Sequence, residues 1–360
     1  MELRPVAKRL DFGSRIRNCR VIGTHEYLKT VRENIQAKYL RGGDVNMADT
    51  RPPTSDSPLF QQILVLALST GELVFLFMTP TAAGGWEFVS SVFTVAGERL
   101  IDPGFHMAIS PDSNYLALAC SEDLFIVYQL ETVEELRNQH REGSPIQPFR
   151  SKFARAVNGI ILKFDFLYPE HASQVILLVI MVKSGVSRLV IYEWDKTEPL
   201  ALALHGEERG HRLDESAGLP LLVIPLTVGC QFLMVTEHSM ATYTDVLSGP
   251  PTPIPFGLNH RDKSDWYYGT HAPMWTAWTR PMREESFLED TDVIWLARED
   301  GWVSCLEIRG ECGVENSIFM GPLKVTIDST FAFLSIPGGE VLVVVGDHGP
   351  GGVWTVRGIT

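Results

Sequence analysis

Two short strings, Asp11-Phe12-Gly13 and His260-Arg261-Asp262, carry the residue types that hold magnesium and accept a proton in phosphoryl transfer. In that chemistry the metal-binding Asp follows the catalytic loop, so that both groups converge on the phosphates. Here the order is reversed, Trp266 and Tyr267 stand where the loop's Asn belongs, and no Gly-rich phosphate cradle precedes either string. Chance accounts for both. Glu289, Asp290 and Asp292 cluster ahead of an apolar run, but lack the regular oxygen spacing and Gly bend of a calcium loop. The sequence contains no phosphate-binding G-x-x-x-x-G-K-[ST], no nucleophile elbow and no zinc-binding H-E-x-x-H. Its ten histidines are scattered, and none stands with a carboxylate in a recognisable catalytic pattern.

Five cysteines, Cys19, Cys120, Cys230, Cys305 and Cys312, make an odd count without a C-x-x-C pair. Cys120, Cys230 and Cys305 fall inside apolar patterns, where a thiol behaves as a small hydrophobe. That usage suits a reducing compartment. No catalytic residue, cofactor site or metal site is expected, and the chain is read as not an enzyme.

The elements behind these residues are short and apolar. Six hairpins read Ile63-Leu68/Leu73-Met78, Tyr115-Cys120/Leu124-Leu130, Val175-Lys183/Arg188-Trp194, Leu221-Pro225/Phe232-Tyr243, Val293-Ala297/Trp302-Ile308 and Phe331-Ile336/Val341-Val345, the last followed by Val353-Val356. A lone hairpin is marginal in water and must stack on neighbours. Hairpins recurring at roughly 50–60 residues signal a β-propeller, each blade leaning on the next. The fold class is therefore all-β, a propeller of about seven blades whose ring is either complete or incomplete, with a short N-terminal helix. Strands near 10–22 or 86–95 would supply a seventh blade. Trp194-Asp195 resembles the dipeptide of WD-type blades, but it occurs once and without a Gly-His partner in each repeat.

The 360 residues are 45% hydrophobic and 21% charged, enough apolar material for a core without staples. The longest unbroken apolar run, Val175 to Val182, is too short to cross a bilayer, which takes about 20 residues. No apolar signal segment follows Met1. Charge is uneven: residues 1–41 hold ten Lys/Arg against four acids, while the whole chain is at −13. An acidic body repels phosphate backbones, whereas the basic leader could touch nucleic acid.

Residues 1–58 read as a basic leader and 59–360 as the propeller. Within the leader, Leu28, Val31, Ile35 and Tyr39 mark an amphipathic helix over His25 to Leu40, stopped by Gly42-Gly43 and followed by a flexible loop from Arg41 to Pro58. In the body, Ser110-Pro111-Asp112-Ser113-Asn114 predicts a tight turn. Thr132 to Arg141 predicts a short exposed helix between blades, and Leu204 to Gly218 a mobile loop. Four prolines exclude a central strand over Ser248 to Pro255. The aromatic run Trp266, Tyr267, Tyr268, Trp275 and Trp278 is either packing against a blade or a binding platform.

Several segments, in order, resemble the first propeller of the large multi-propeller scaffold family. That family includes the damage-specific DNA-binding protein large subunit, the A subunit of the cleavage and polyadenylation specificity factor, the large propeller subunit of splicing factor three-b, and the methyl-methanesulfonate-sensitivity scaffolds. The carrying residues are Ile101-Asp102-Pro103, Ala108 to Asp112, Tyr115 to Leu118, Leu124-Phe125, Ile161 to Tyr168, Arg188 to Tyr192, Leu222 to Leu226, Phe232 to Val235, Glu237-His238-Ser239 and Asp300 to Val303. The resemblance implies a rigid, non-enzymatic scaffold in the nucleus, with the cytoplasm also open. It would bind protein subunits as a ubiquitin-ligase adaptor in the DNA-damage response, or within pre-mRNA splicing or 3′-end processing. It implies no membrane, cofactor or small-molecule substrate. A direct nucleic-acid-binding module built on the leader and the aromatic run stands as the alternative, and a propeller hydrolase with inward acids as a further one.

Overall fold

The computed structural model describes residues 2–6, 14, 16–23, 62–80, 86–94, 106–203, 209–214, 218–227, 230–236, 239–244, 246–247, 249–250, 252–255, 266–271, 291–298, 302–309, 312–319, 330–336, 339–345 and 352–357. The chain opens with β1 (Glu2–Val6) and then lays down six four-stranded antiparallel sheets. Blade 1 holds β2 (Ile16–Ile22), β3 (Ile63–Leu68), β4 (Glu72–Pro80) and β5 (Trp86–Thr94). Blade 2 holds β6 (Met107–Ile109), β7 (Tyr115–Ala119), β8 (Leu124–Leu130) and β9 (Phe149–Ala156). Blade 3 holds β10 (Ile160–Leu167), β11 (Gln174–Lys183), β12 (Val186–Asp195) and β13 (Arg209–Arg212). Blade 4 holds β14 (Pro220–Pro225), β15 (Phe232–Thr236), β16 (Met240–Thr244) and β17 (Thr252–Pro255). Blade 5 holds β18 (Trp266–His271), β19 (Thr291–Arg298), β20 (Trp302–Arg309) and β21 (Cys312–Phe319). Blade 6 is β22 (Thr330–Ile336), β23 (Gly339–Val345) and β24 (Gly352–Arg357), with β1 as its outer strand.

The first strand of each blade touches the first strands of both neighbouring blades, and β22 touches β2, so the ring closes. Closure runs through the N-terminus, with Glu2 opposite Arg357 and Val6 opposite Val353. This corrects the expectation of about seven blades and of an incomplete ring: six sheets suffice among the described residues. The two segments expected to supply a seventh blade are instead the inner and outer strands, β2 and β5, of blade 1. It also corrects the boundary at residue 59, because β1 and β2 belong to the sheets while the expected helix over His25 to Leu40 lies outside the described residues.

The core is a set of layers between blades rather than one centre. Ile22, Val65, Phe75 and Phe77 of blade 1 meet Leu116, Ile126 and Tyr128 of blade 2. Tyr115, Phe125 and Val127 meet Phe166, Leu177 and Trp194 of blade 3. Ile176 and Leu178 then meet Phe232 and Met234 of blade 4. Alternation at period two sends successive residues of one strand into different layers, which is why the middle strands are apolar throughout. Aromatic rings in the layer between blades 2 and 3 meet edge to face, with Tyr115 and Trp194 at 5.5 Å and 90°.

Turn chemistry follows the sequence. Ser184-Gly185, at φ 53° and 79°, closes the two-residue loop between β11 and β12, the doubly positive φ pattern that fits strand twist. Helix α1 (Val133–Arg141) is capped by Thr132, whose hydroxyl accepts from Glu135 N–H at 3.1 Å, with Glu134 and Glu135 in its first turn. It was expected between blades; it joins β8 to β9 within blade 2. The segment expected as a mobile loop after Leu204 contains β13, paired with β12. A second helix, α2, is a single turn at Leu200–Ala203. The proline-rich segment forms β17, an edge strand, where missing N–H groups cost no ladder bond.

Candidate functional site

The candidate site is built from the two faces of the ring and the inner strands that line its axis. The inner strands run in one direction, and each ends on the same face as the third strand of its blade. On that face the Ser110–Asn114 turn is assembled around Asp112. The carboxylate accepts from Ser110 Oγ at 2.6 Å, from Asn114 N–H at 3.2 Å and from Asn114 Nδ2 at 2.8 Å. Ser110 Oγ in turn accepts from Tyr115 N–H at 2.9 Å. Pro111 presets the turn, and Ser113 sits at φ 59°.

This turn grips both neighbouring blades. Ser113 Oγ accepts from the N–H of Gly23, just beyond the end of β2 in blade 1, at 2.9 Å. Lys196, just beyond β12 in blade 3, reaches Asp112 with Nζ 2.6 Å from Oδ2. Burial would raise the Asp112 pKa, but Lys196, Ser110 and Asn114 outweigh it and hold the carboxyl below its usual value. Helix α1 adds a second brace to blade 1: Arg137 Nη2 donates to Gln62 O at 3.1 Å, and His140 stacks on Phe77 at 4.3 Å. The face is locked across three blades.

The opposite face, where inner strands begin, is different. Ile160 at the start of β10 is 48% exposed, and Leu219 beside the start of β14 is 50% exposed. These two inner strands are neighbours. Gly159 precedes Ile160 with no room for a side chain, since a Cβ there would lie 2.7 Å from Val182 O. The strand start is thus pressed against β11 while Ile160 faces water.

Charged residues stand on or beside the inner strands of three neighbouring blades. Arg20 comes from β2, His106 lies just before β6, and Lys163 and Asp165 stand on β10. Register shifts at Ile16/Asn18 and Ile161/Lys163 mark irregularities near the starts of β2 and β10, the kind of local twist that redirects side chains. Arg20 acts electrostatically on His106, Lys163 and Asp165. Burial, with Arg20 adding to it, lowers the Lys163 pKa to about 8. Burial raises Asp165 to about 6, against the opposing pull of Arg20 and the Phe166 N–H. His106 is held well below its usual value by burial, then by Lys163 and Arg20.

The remaining sequence features fall as follows. Asp11-Phe12-Gly13, His260-Arg261-Asp262, Glu289 and Asp290 lie outside the described residues, as do Trp275 and Trp278. Trp266, Tyr267 and Tyr268 belong to β18, and Asp292 to β19. Among the described residues no group of His, Cys, Asp and Glu could hold a metal ion. Cys19, Cys120 and Cys230 are buried and form no disulfide. Cys230 departs from the strand expected for it, sitting before β15 at φ 54°. The axial charges were missed at the sequence level. Their signal was Lys163 and Asp165 alternating with Phe164 and Phe166: two opposite charges on one side of an otherwise apolar strand.

A family model described as the RSE1/DDB1/CPSF1 first beta-propeller matches residues 3–359. No curated protein shows a significant match to the chain.

Proposed function

The chain belongs to the RSE1/DDB1/CPSF1 first-propeller family, and we propose that it works as a non-enzymatic docking platform for protein subunits of a nuclear assembly. Ubiquitin-ligase adaptor work in the DNA-damage response and pre-mRNA processing are the two assemblies that the family's membership suggests. The observation that carries the reading is the contrast between faces. One face spends its polar groups on holding blades together, while the other exposes Ile160 and Leu219 at the starts of two neighbouring inner strands. Adjacent exposed aliphatics on a rigid rim suit an apolar segment of a partner.

The test is quantitative cross-linking of tagged full-length protein from nuclear extract, wild type against an Ile160→Asp/Leu219→Asp variant. The variant is expected to lose its cross-linked subunits while keeping its thermal transition. Retention of the same subunits by the variant would refute docking at this rim. Saturable turnover of a small substrate by the purified protein would refute the scaffold reading itself. The hydrolase alternative needs paired inward acids; among the described axial groups Asp165 stands alone with three basic side chains. Of the basic leader's charges, Arg4, Arg17 and Arg20 are built into β1 and β2, which argues against a freely available nucleic-acid-binding tail at those positions.

A further inference from the structure

We propose that Ser144 is a phosphorylation site, the acceptor for a proline-directed, ATP-dependent protein kinase. The sequence holds Ser-Pro pairs at Ser57, Ser110 and Ser144, and Thr-Pro pairs at Thr79 and Thr252. A kinase pocket shaped for proline selects such pairs, because proline has no N–H to strand and holds the residue before it extended. The fold decides among them. Ser57 lies outside the described residues. Ser110 is 3% exposed, and its Oγ is already shared between Asp112 and the Tyr115 N–H. Thr79 and Thr252 are tied into sheets, opposite Glu87 and Thr244. Ser144 is exposed and belongs to neither a strand nor a helix.

The segment around Ser144 is anchored on both sides. Helix α1 ends with Gly143, at φ 68°, whose N–H donates to His140 O at 3.2 Å, while the Ser144 N–H donates to Gln139 O at 3.0 Å. Downstream, the Gln147 N–H donates to Gln139 Oε1 at 2.9 Å, and Pro148 O accepts from the Glu131 N–H at 2.8 Å. Between these anchors Arg141 to Pro145 are all exposed, and residues 144–148 run without secondary structure into β9. A kinase cleft can reach a hydroxyl on such a stretch without opening a sheet. There Ser144 Oγ attacks the γ-phosphorus of ATP held by the kinase. The new O–P bond forms as the bond to the bridging oxygen of ADP breaks, and the hydroxyl proton passes to the kinase's carboxylate base. The phosphate adds about two negative charges beyond the C-terminus of α1, an end that favours cations. Glu142 adds to that repulsion, whereas His140 and Arg141 in the last turn oppose it. The loop lies on the locked face, where the Leu130 N–H at the end of β8 donates to Asn114 O. It is therefore separate from Ile160 and Leu219 on the opposite face.

The experiment incubates the folded full chain with a recombinant cyclin-dependent kinase and ATP, and maps the phosphate by tandem mass spectrometry. Ser144 is expected to approach full occupancy. Ser110 should stay unmodified in the folded chain, yet accept phosphate in a synthetic peptide spanning His106 to Leu118, where nothing buries it. Pro145→Ala should slow modification of Ser144 by about tenfold or more, the discrimination expected of a pocket that leaves an added N–H unpaired. The Ile160→Asp/Leu219→Asp variant should be modified at the wild-type rate, so a failure of docking at that rim leaves this result standing. Absence of phosphate on Ser144 in the folded wild type would overturn the proposal. So would modification of Ser110 as fast as Ser144 in the folded chain, or a wild-type rate in Pro145→Ala. Should Pro145→Ala lower the thermal transition, the ratio of Ser144 to Ser110 in the wild type keeps the test decisive.

Discussion

Two aspartates one blade apart show how opposite a carboxylate's lot can be in the same ring. Asp112, at the locked face, accepts from two side chains and a backbone N–H of its own turn and pairs with Lys196 of the next blade. Its pKa falls although burial pushes it upward. Asp165, on the axis, has the Phe166 N–H and the distant charge of Arg20, and burial wins, lifting it to about 6. Burial is common to both; the number of donors decides the sign. The first carboxylate stabilises the folded ring in its ionised form, and the second is a standing cost.

Removing Asp112 is the severest way to probe that contrast. Asp112→Ala strips Lys196 and Asn114 of their acceptor and should cost about 2–3 kcal/mol in denaturant unfolding at pH 7. Lys196→Met leaves the turn's own donors on Asp112 and should cost less, about 1–2 kcal/mol by the same measurement. A loss as large as that of Asp112→Ala would place the whole effect in the ion pair instead of the turn. Asp165→Asn should act in the opposite direction, stabilising by about 1 kcal/mol at pH 7, discounted for its partial hydration.

The pH dependence separates the two sites. Because Asp165 titrates near 6 when folded and near 3.8 when unfolded, the folded state binds the extra proton between those values. Stability from this group therefore rises as pH falls from about 6 toward 4, and Asp165→Asn should flatten that limb. Asp112 behaves inversely: its contribution is present above 3.8 and is lost as pH falls through its depressed folded value. The smallest effect is expected from Ser113→Ala, about 1 kcal/mol, read most directly as faster hydrogen exchange at Gly23 N–H. Unchanged exchange there would show that blade 1 is held by α1 and the apolar layer without the Ser113 bond.

Much of the fold was legible because hairpins in an apolar chain have few places to go. β3/β4, β7/β8, β11/β12 and β19/β20 fall where the alternation of β-formers and turn residues puts them. The inner and outer strands were harder. β2 contains Arg17, Asn18 and Arg20, so its composition reads as a basic leader, and only pairing with β3 reveals it as a strand. β13, Arg-Gly-His-Arg, has no apolar signature at all and exists because β12 offers it an edge. Tertiary pairing overrides local propensity at such positions. The Ser110–Asn114 turn was visible from its residue types, but its partners, Gly23 and Lys196, lie 90 and 84 positions away from Ser113 and Asp112 and leave no local trace. The inner-strand charges were hidden for the same reason: Arg20, His106 and the Lys163/Asp165 pair belong to three different repeats.

The pairing of β1 with β24 has a consequence for biosynthesis. β1 leaves the ribosome long before β24, so the sheet they share cannot be completed until all the intervening blades have emerged. Until then one sheet edge waits open for its partner, exposed to any stray strand that could take the vacant place. Folding speed is therefore tied to translation, and a chaperone that shields this waiting edge would govern the yield of closed rings.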